Sequence, residues 1–371
     1  MIIKKTEEYV MSKINNRVFV DIHVIQSLPP SCVNRDDTGS PKTAVYGGVR
    51  RARISSQSWK HAMRQMFRDY FDEIDLGERT KKIVEKVAEQ IRLLCEIDLE
   101  EAMTLAEKII NQTGVDTKDK EAKALFFMSN KQAEALAHMA IVDPIPSKKE
   151  VQEALNKGTG VDIALFGRMV ANDPALNADA SAQVAHAIST HKVENEYDYF
   201  TAMDDRSAED QAGAGMIGTV EFNSSTLYRY ATVAAHDLKK NLGDVAISSK
   251  AIKEFLRAFI CSMPTGKQNT FANNTPPYAV MVAIRQDQPI NFVCAFETPV
   301  KAKEGGYQSK SAVALAKYAQ FVYDRYFAAP KYSFVISMDK EFEGLGDAVE
   351  LPDLLIKAEQ IVYKLLQENG V

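Results

Sequence analysis

Between Thr38 and Arg68 the chain carries Lys42, Arg50, Arg51, Arg53, Lys60, Arg64 and Arg68 and no Asp or Glu, although its formal net charge is −5. Cations gathered without acids in an acidic chain form a candidate phosphate-binding track, because affinity for a nucleic acid depends on charge near the phosphates and not on the total. Arg offers a fork of donors, Lys a point charge, and serine hydroxyls and free helix-start amides add neutral donors. The bland alternative is a solvated helix face with a charged loop. The run starts in a loop, passes the Gly47–Gly48 pair and continues into SSQSWKHAMR, which favours the phosphate reading. A second loop, PTGKQNTFANNTPP, sets Lys267 and Gln268 after Gly266. It is not a Walker A loop, since no glycine stands at Cys261 and Lys267 is followed by Gln268. It reads either as a polar connector or as a clasp on a sugar-phosphate backbone.

Catalytic patterns are weaker. GAGMIG (Gly213–Gly218) fits GxGxxG by letter, but acidic sequence precedes it and strand-like TVEF follows, so the dinucleotide reading fails and a hairpin tip with Met216 and Ile217 exposed is expected. His186 and His191, followed by Glu194, Glu196 and Asp198, are poorly spaced for a shared metal. Asp36 and Asp37 in NRDD could support RNA cleavage, directly or through a metal, or could simply organise their loop. No GxSxG, HExxH or kinase set occurs, and the cysteines at 32, 95, 261 and 294 contain no CxxC pair. A binding or assembly protein without catalytic residues, metal or cofactor is the expectation.

These residues need elements to position them. In RVFVDIHVIQSL, Val18, Val20, Ile22 and Val24 alternate with Phe19, Asp21 and His23, which predicts a strand with one buried face. Ser55 or Ser56 should cap a helix whose apolar face holds Trp59, Met63, Met66, Phe67 and Tyr70, flanked by a Lys60–Arg64–Arg68 stripe. From about Asp72 to Gly158 the apolar spacing is helical. GTVEFNSSTLYRYATV, YAVMVAIR, INFVCAFE and YSFVISM then read as strands. SKAIKEFLRAFICSM, SAVALAKYAQFVYDRYF and LPDLLIKAEQIVYKLLQE read as helices. The fold class this predicts is α+β, with an antiparallel sheet interrupted by insertions. With 371 residues, 46% hydrophobic and 26% charged, the chain can bury a large core. It has neither a membrane-length apolar run nor the order of a signal peptide, so a cytoplasmic location is expected.

PSCVNRDD, YGGVRRARISSQSWKHAMR, GVDIALFGRM, AHAISTHKVENEYDYFTAMDD, GTVEFNSSTLYRYA and PTGKQNTFANN together resemble the backbone subunits of type I-E CRISPR Cascade complexes, the CasC family, in order and over nearly everything after Asn16. The resemblance implies a right-hand shape: an RRM-like (ferredoxin-like) palm, a helical fingers insertion and a β-hairpin thumb. The corresponding division is an extension at 1–16, palm at 17–71, fingers at 72–185, thumb at 186–222 and palm again at 223–371. By similarity, Arg35, Lys42, Ser55, Gln57, Lys60 and Arg64 contact CRISPR RNA phosphates. Met169 is an apolar wedge, and Tyr199, Phe200, Thr201 and Ile217 accompany a flipped-out nucleotide. Lys148 and Lys149 are placed on duplex DNA. The implied partners are CRISPR RNA, target DNA through the guide, further copies in a head-to-tail helix, other Cascade subunits and, indirectly, a recruited nuclease-helicase. The alternatives are an RNA-cleaving backbone subunit of a type III-like effector, motivated by Asp36 and Asp37, and a general single-strand RNA binder. The segment MIIKKTEEYVMSKINN departs from the family, whose first strand lies close to the start.

Overall fold

The alternating segment after Arg17 forms β1 (Phe19–Ser31), the strand on which the rest is built. A computed structural model describes residues 16–142, 146–170, 173–202 and 216–368, so nearly all of the N-terminal extension lies outside it. The strands that follow are β2 (Thr43–Tyr46), β3 (Val49–Ile54), β4 (Ala182–Val184), β5 (Ala187–Ser189), β6 (Glu196–Ala202), β7 (Met216–Ala234), β8 (Ala279–Arg285), β9 (Tyr332–Ser337) and β10 (Asp347–Ala348). They make a mixed sheet in the order β10-β9-β8-β1-β7-β5-β3-β2, with β4 and β6 also paired to β7. All pairings are antiparallel except β9 with β10.

The helices relevant here are α1 (Ser56–Phe67), α2 (Ile83–Leu94), α3 (Leu99–Thr113), α4 (Asn130–Val142), α5 (Lys148–Asn156), α6 (Val161–Phe166), α7 (Ala235–Leu242), α8 (Val245–Cys261), α9 (Gln308–Arg325) and α10 (Leu351–Glu368). Along the chain β1, α1, the short strands β4 and β5 (each paired to β7), β7, α8 and β8 trace a β-α-β-β-α-β path, with β1 between β7 and β8.

The single buried face expected for β1 is corrected: both faces are buried. Val20, Ile22 and Val24 pack with Phe255, Phe259 and Val362 of α8 and α10. On the other face Ile25 joins Phe292, Leu315 and Ala319 beneath α9. The polar residues of that face are satisfied rather than solvated. Asp21 accepts from the Tyr230 hydroxyl at 3.0 Å and from Ile290 N at 2.9 Å. His23 Nδ1 lies 2.9 Å from the Tyr228 hydroxyl, and its ring stacks on Phe292. Period two marks a strand but does not say how many layers cover it.

INFVCAFE is not a strand. Asn291 Oδ1 accepts from Val293 N at 3.0 Å, and Val293–Phe296 turns as a 3-10 helix that buries Phe292 and Phe296. The asparagine turn overrides the β-propensity of its neighbours. Residues between Ile83 and Leu176 form a separate core in which Val87, Ile91, Ile109, Leu136, Val151 and Leu155 meet between α2, α3, α4 and α5. Asp98 caps α3 by accepting from Glu101 N at 2.8 Å, and Ser147 with Glu150 forms a capping box on α5. These caps explain why this stretch stays helical away from the sheet.

Candidate nucleic-acid interface

The loop after β1 is folded by its own side chains. Asp36 Oδ1 accepts from Thr38 N (3.0 Å), the Thr38 hydroxyl (2.7 Å) and Ser40 N (3.0 Å). These bonds, the Thr38 hydroxyl first, hold the Asp36 carboxyl below the usual range. Asn34 ties the loop to α1: its Oδ1 accepts from Ser55 N at 2.9 Å, while its carbonyl accepts from Lys42 N at 2.8 Å. Ser55 is the cap, taking Ser58 N at 3.3 Å. The PTGKQ loop abuts the same segment. A Cβ on Gly266 would lie 1.9 Å from the Val33 carbonyl oxygen, so only glycine permits this approach. Two neighbouring stretches and the distant PTGK loop therefore enclose one polar cleft of about 580 Å³, lined among others by Arg35, Asp37, Ser58, His61, Gln65 and Thr265.

The predicted cations divide by environment. Arg35, Arg50 and the amide of Gln57 are exposed, while Lys42, Arg53, Lys60, Lys267 and Gln268 are half-buried. Arg53 Nη1 meets His186 Nδ1 at 3.1 Å and its Nε donates to the Thr43 carbonyl at 3.2 Å. Lys60 lies over the Phe166 ring at 5.7 Å. Lys267 has a positive φ of 50° just before the Gln268–Phe271 turn of helix.

Three of the predicted phosphate contacts are engaged within the protein itself. Arg51 is fully buried, and its guanidinium donates to the carbonyls of Tyr46, Ser189, Phe296 and Glu297; period two along β3 turns Arg50 outward and Arg51 inward. Ser55 is buried, with its hydroxyl engaged as the helix cap. Arg64 is not an open cation: its Nε lies 3.0 Å from Asp162 Oδ2, and its Nη2 donates to the Gly77 carbonyl at 3.2 Å. The acid missing from the local run arrives from α6. Lys148 is likewise paired, 2.7 Å from Asp173, whereas Lys149 reaches Glu153 only at 4.0 Å and projects into solvent. Of the two histidines, His191 uses both ring nitrogens on backbone groups, of Lys192 and Thr226, and stacks on Tyr307.

Tyr197, Tyr199, Phe200 and Met169 are not among the residues lining this cleft. β6 and the start of β7 form a two-stranded ribbon with Tyr199↔Thr219, Phe200↔Gly218 and Thr201↔Ile217 in register. Met216–Gly218 thus belongs to a strand, and the expected hairpin tip falls within 203–215, outside the described residues. Tyr199 and Thr201 share one face and Phe200 takes the other, where a Cβ on Gly218 would strike its ring. Tyr197 shares the Tyr199 face, the two being 68% and 64% exposed. Met169 is 87% exposed on a braced segment. Buried Arg168 beside it donates to the Leu176 carbonyl (2.9 Å) and the Phe127 carbonyl (3.1 Å), and Val170 N donates to Asn177 Oδ1 (2.7 Å).

Sequence reasoning missed Asn34, Tyr197, Asp162 and Arg79. Arg79 lies over the Phe127 ring at 5.0 Å, and Arg64 over the same ring at 4.3 Å. Asn34 and Tyr197 sat inside motifs already noted; nothing local links Asp162 or Arg79 to α1.

Fold and site define a mixed α+β protein with a polar cleft and an exposed aromatic ribbon. The chain belongs to the CT1975-like protein family, whose model matches residues 20–356. Among curated proteins no sequence matches it significantly. It is similar to a solved chain described as "CRISPR RNA-guided surveillance complex, pre-nicking", with a TM-score of 0.83 and 32% identity over 93% of this chain and 100% of that one. A second, "CRISPR RNA-guided surveillance complex", gives 0.70 and 28% over 91% and 99%. No helix among the described residues is long and apolar enough to cross a membrane.

Proposed function

We propose that this chain is the CRISPR RNA-binding backbone subunit of a Cascade surveillance complex. It polymerises with further copies along the guide and displays it for pairing with target DNA. The observation that carries the reading is the convergence of the NRDD loop, α1 and the PTGK loop on one polar cleft lined by exposed Arg35, with exposed or half-buried Arg50, Lys42, Arg53, Lys60 and Lys267 on the same or adjoining segments. The similarity to chains of RNA-guided surveillance complexes supports it. In this reading the β-α-β-β-α-β path is the ferredoxin-like palm, the α2–α5 core is the fingers and the β6–β7 ribbon is the thumb. Protein supplies charge and geometry, while base pairing reads sequence. Tyr199 and Met169 offer apolar surface to replace stacking where the guide is kinked. Other Cascade subunits bind the assembly, and a nuclease-helicase recruited to it cuts the target; this chain is non-catalytic and cytoplasmic.

The test is the RNA that co-purifies when the protein is expressed with its neighbouring subunits and a CRISPR array. One discrete species with a spacer and repeat-derived ends is expected; mixed cellular RNA would make the chain a general strand binder. Asp37 also lines the cleft, so a type III-like cleavage reading has a physical basis. Incubating the assembly with matched RNA and a divalent metal is expected to leave that RNA intact.

A further inference from the structure

The junction between α1 and the α2–α5 region holds an arrangement that the phosphate track along α1 does not account for. The Gly77–Thr80 strand pairs with Phe126–Ser129, setting Arg79 opposite Phe127. Asp162 and Arg64 grip the first residue of that strand from both sides: Asp162 Oδ1 accepts from Gly77 N at 2.7 Å, and Arg64 Nη2 donates to the Gly77 carbonyl at 3.2 Å. The Phe127 ring then carries the Arg64 guanidinium at 4.3 Å and the Arg79 guanidinium at 5.0 Å. Arg64 is neutralised by Asp162. Among the described residues, Arg79 and Lys60 have no hydrogen-bonded or ion-paired acid. Lys60 stands one turn before Arg64 on α1, and Arg64 and Arg79 share the Phe127 ring, so both cations face this junction. Burial and then the Arg79 charge hold the Lys60 ammonium below the usual lysine range, while Asp162 offsets part of the Arg79 charge. Lys60, Arg64 and Arg79 beside the one Asp162 carboxylate leave an excess of positive charge, which costs free energy unless an anion offsets it.

We infer that Lys60 and Arg79 jointly seat one RNA phosphate where α1 meets the first strand beyond it, with Arg64 and Asp162 positioning that strand without touching RNA. The inference rests on the RNA-binding reading above and adds to it a cation from outside the basic run. It also makes RNA a tie between the two regions, since a single phosphate bridges α1 and the strand.

The experiment is salt-stepped binding of a fluorescein-labelled guide RNA to the full chain, for wild type, K60Q, R79Q, R79K, the K60Q/R79Q pair and K118Q. Lys118 is an exposed cation on another turn and serves as the control. R79Q is expected to weaken binding about tenfold and to make the log–log salt slope less negative by about 0.7, the value for one phosphate contact on a single strand. R79K should keep the slope but only part of the affinity, since Lys lacks the fork. Because both cations share a phosphate, the double variant should lose less than the product of the single losses. K118Q should match wild type. Loss in K60Q with none in R79Q would overturn the seat while leaving RNA binding in place, and strictly multiplicative losses would overturn the shared phosphate. Failure of the wild type to bind guide RNA would overturn the functional reading and the seat with it.

Discussion

Replacing Arg64 by methionine separates packing from RNA contact. The Asp162 side chain is 3% exposed and the Arg64 side chain 18%, with 3.0 Å between Nε and the carboxylate. Two unit charges at about 3–4 Å attract by about 4–6 kcal/mol at an effective dielectric of about 20. Stranding one partner of a buried pair costs about 3–5 kcal/mol. Water can reach the partly open arginine site, and the Gly77 N–H still bonds Asp162, so the lower end, about 3 kcal/mol, is expected for R64M. Pairing it with D162L removes the stranded charge but leaves the Gly77 N–H without its acceptor, so the double variant should be no less stable than R64M and remain about 1–3 kcal/mol below wild type. Urea unfolding followed by tryptophan fluorescence reads this directly. Trp59, the single tryptophan, is buried on α1 with the Arg229 guanidinium 3.6 Å from its ring. An R64M protein as stable as wild type that no longer retains guide RNA would refute the reasoning and restore Arg64 as a contact residue. Charge reversal at Arg64 would be a poor test of RNA binding, because it sets a second carboxylate against Asp162.

Other substitutions probe the remaining parts. G266A should cost about 1–3 kcal/mol by thermal unfolding, as overpacking does, and should weaken RNA binding, because the added methyl drives the PTGK loop off Val33. Y197A and Y199A lie on one open face of the ribbon, so each should change stability by no more than about 0.5 kcal/mol. Each should still weaken guide binding by about 5- to 100-fold if a base stacks there, measured by filter binding; unchanged affinity would remove the ribbon from the RNA surface. Burial raises the Asp21 carboxyl from 3.8 to about 6 despite its hydrogen bonds from Ile290 N and the Tyr230 hydroxyl. Between about pH 4 and 6 the folded chain therefore keeps a proton that the unfolded chain has released, and stability falls by about 3 kcal/mol as pH rises through that window. Asp21→Asn should flatten this part of the pH–stability curve; an unchanged slope would assign it to another group.

Much of the fold was legible because local rules and packing agree. The alternation of Val20, Ile22 and Val24 made β1, Ser55 capped α1, and Trp59, Met63 and Phe67 turned inward as their spacing required. The basic run and the PTGK loop were equally plain, since charge and glycine are local properties. Their meeting at one cleft was not, because it depends on the loop after β1 and the loop after α8 touching where Gly266 packs on Val33. The same limit explains the errors. A strand's period reports the alternation of its faces, so Asp21 and His23 read as solvent residues until α9 was seen to cover them. Cations read as unneutralised because acids were counted along the chain, whereas Asp162 reaches Arg64 across 98 positions and four backbone carbonyls surround Arg51. Sequence by itself determined which residue types could bind phosphate and the elements that carry them. Only the tertiary structure decided which of those charges remain open to an RNA, because electrostatic pairing acts through space and not along the chain.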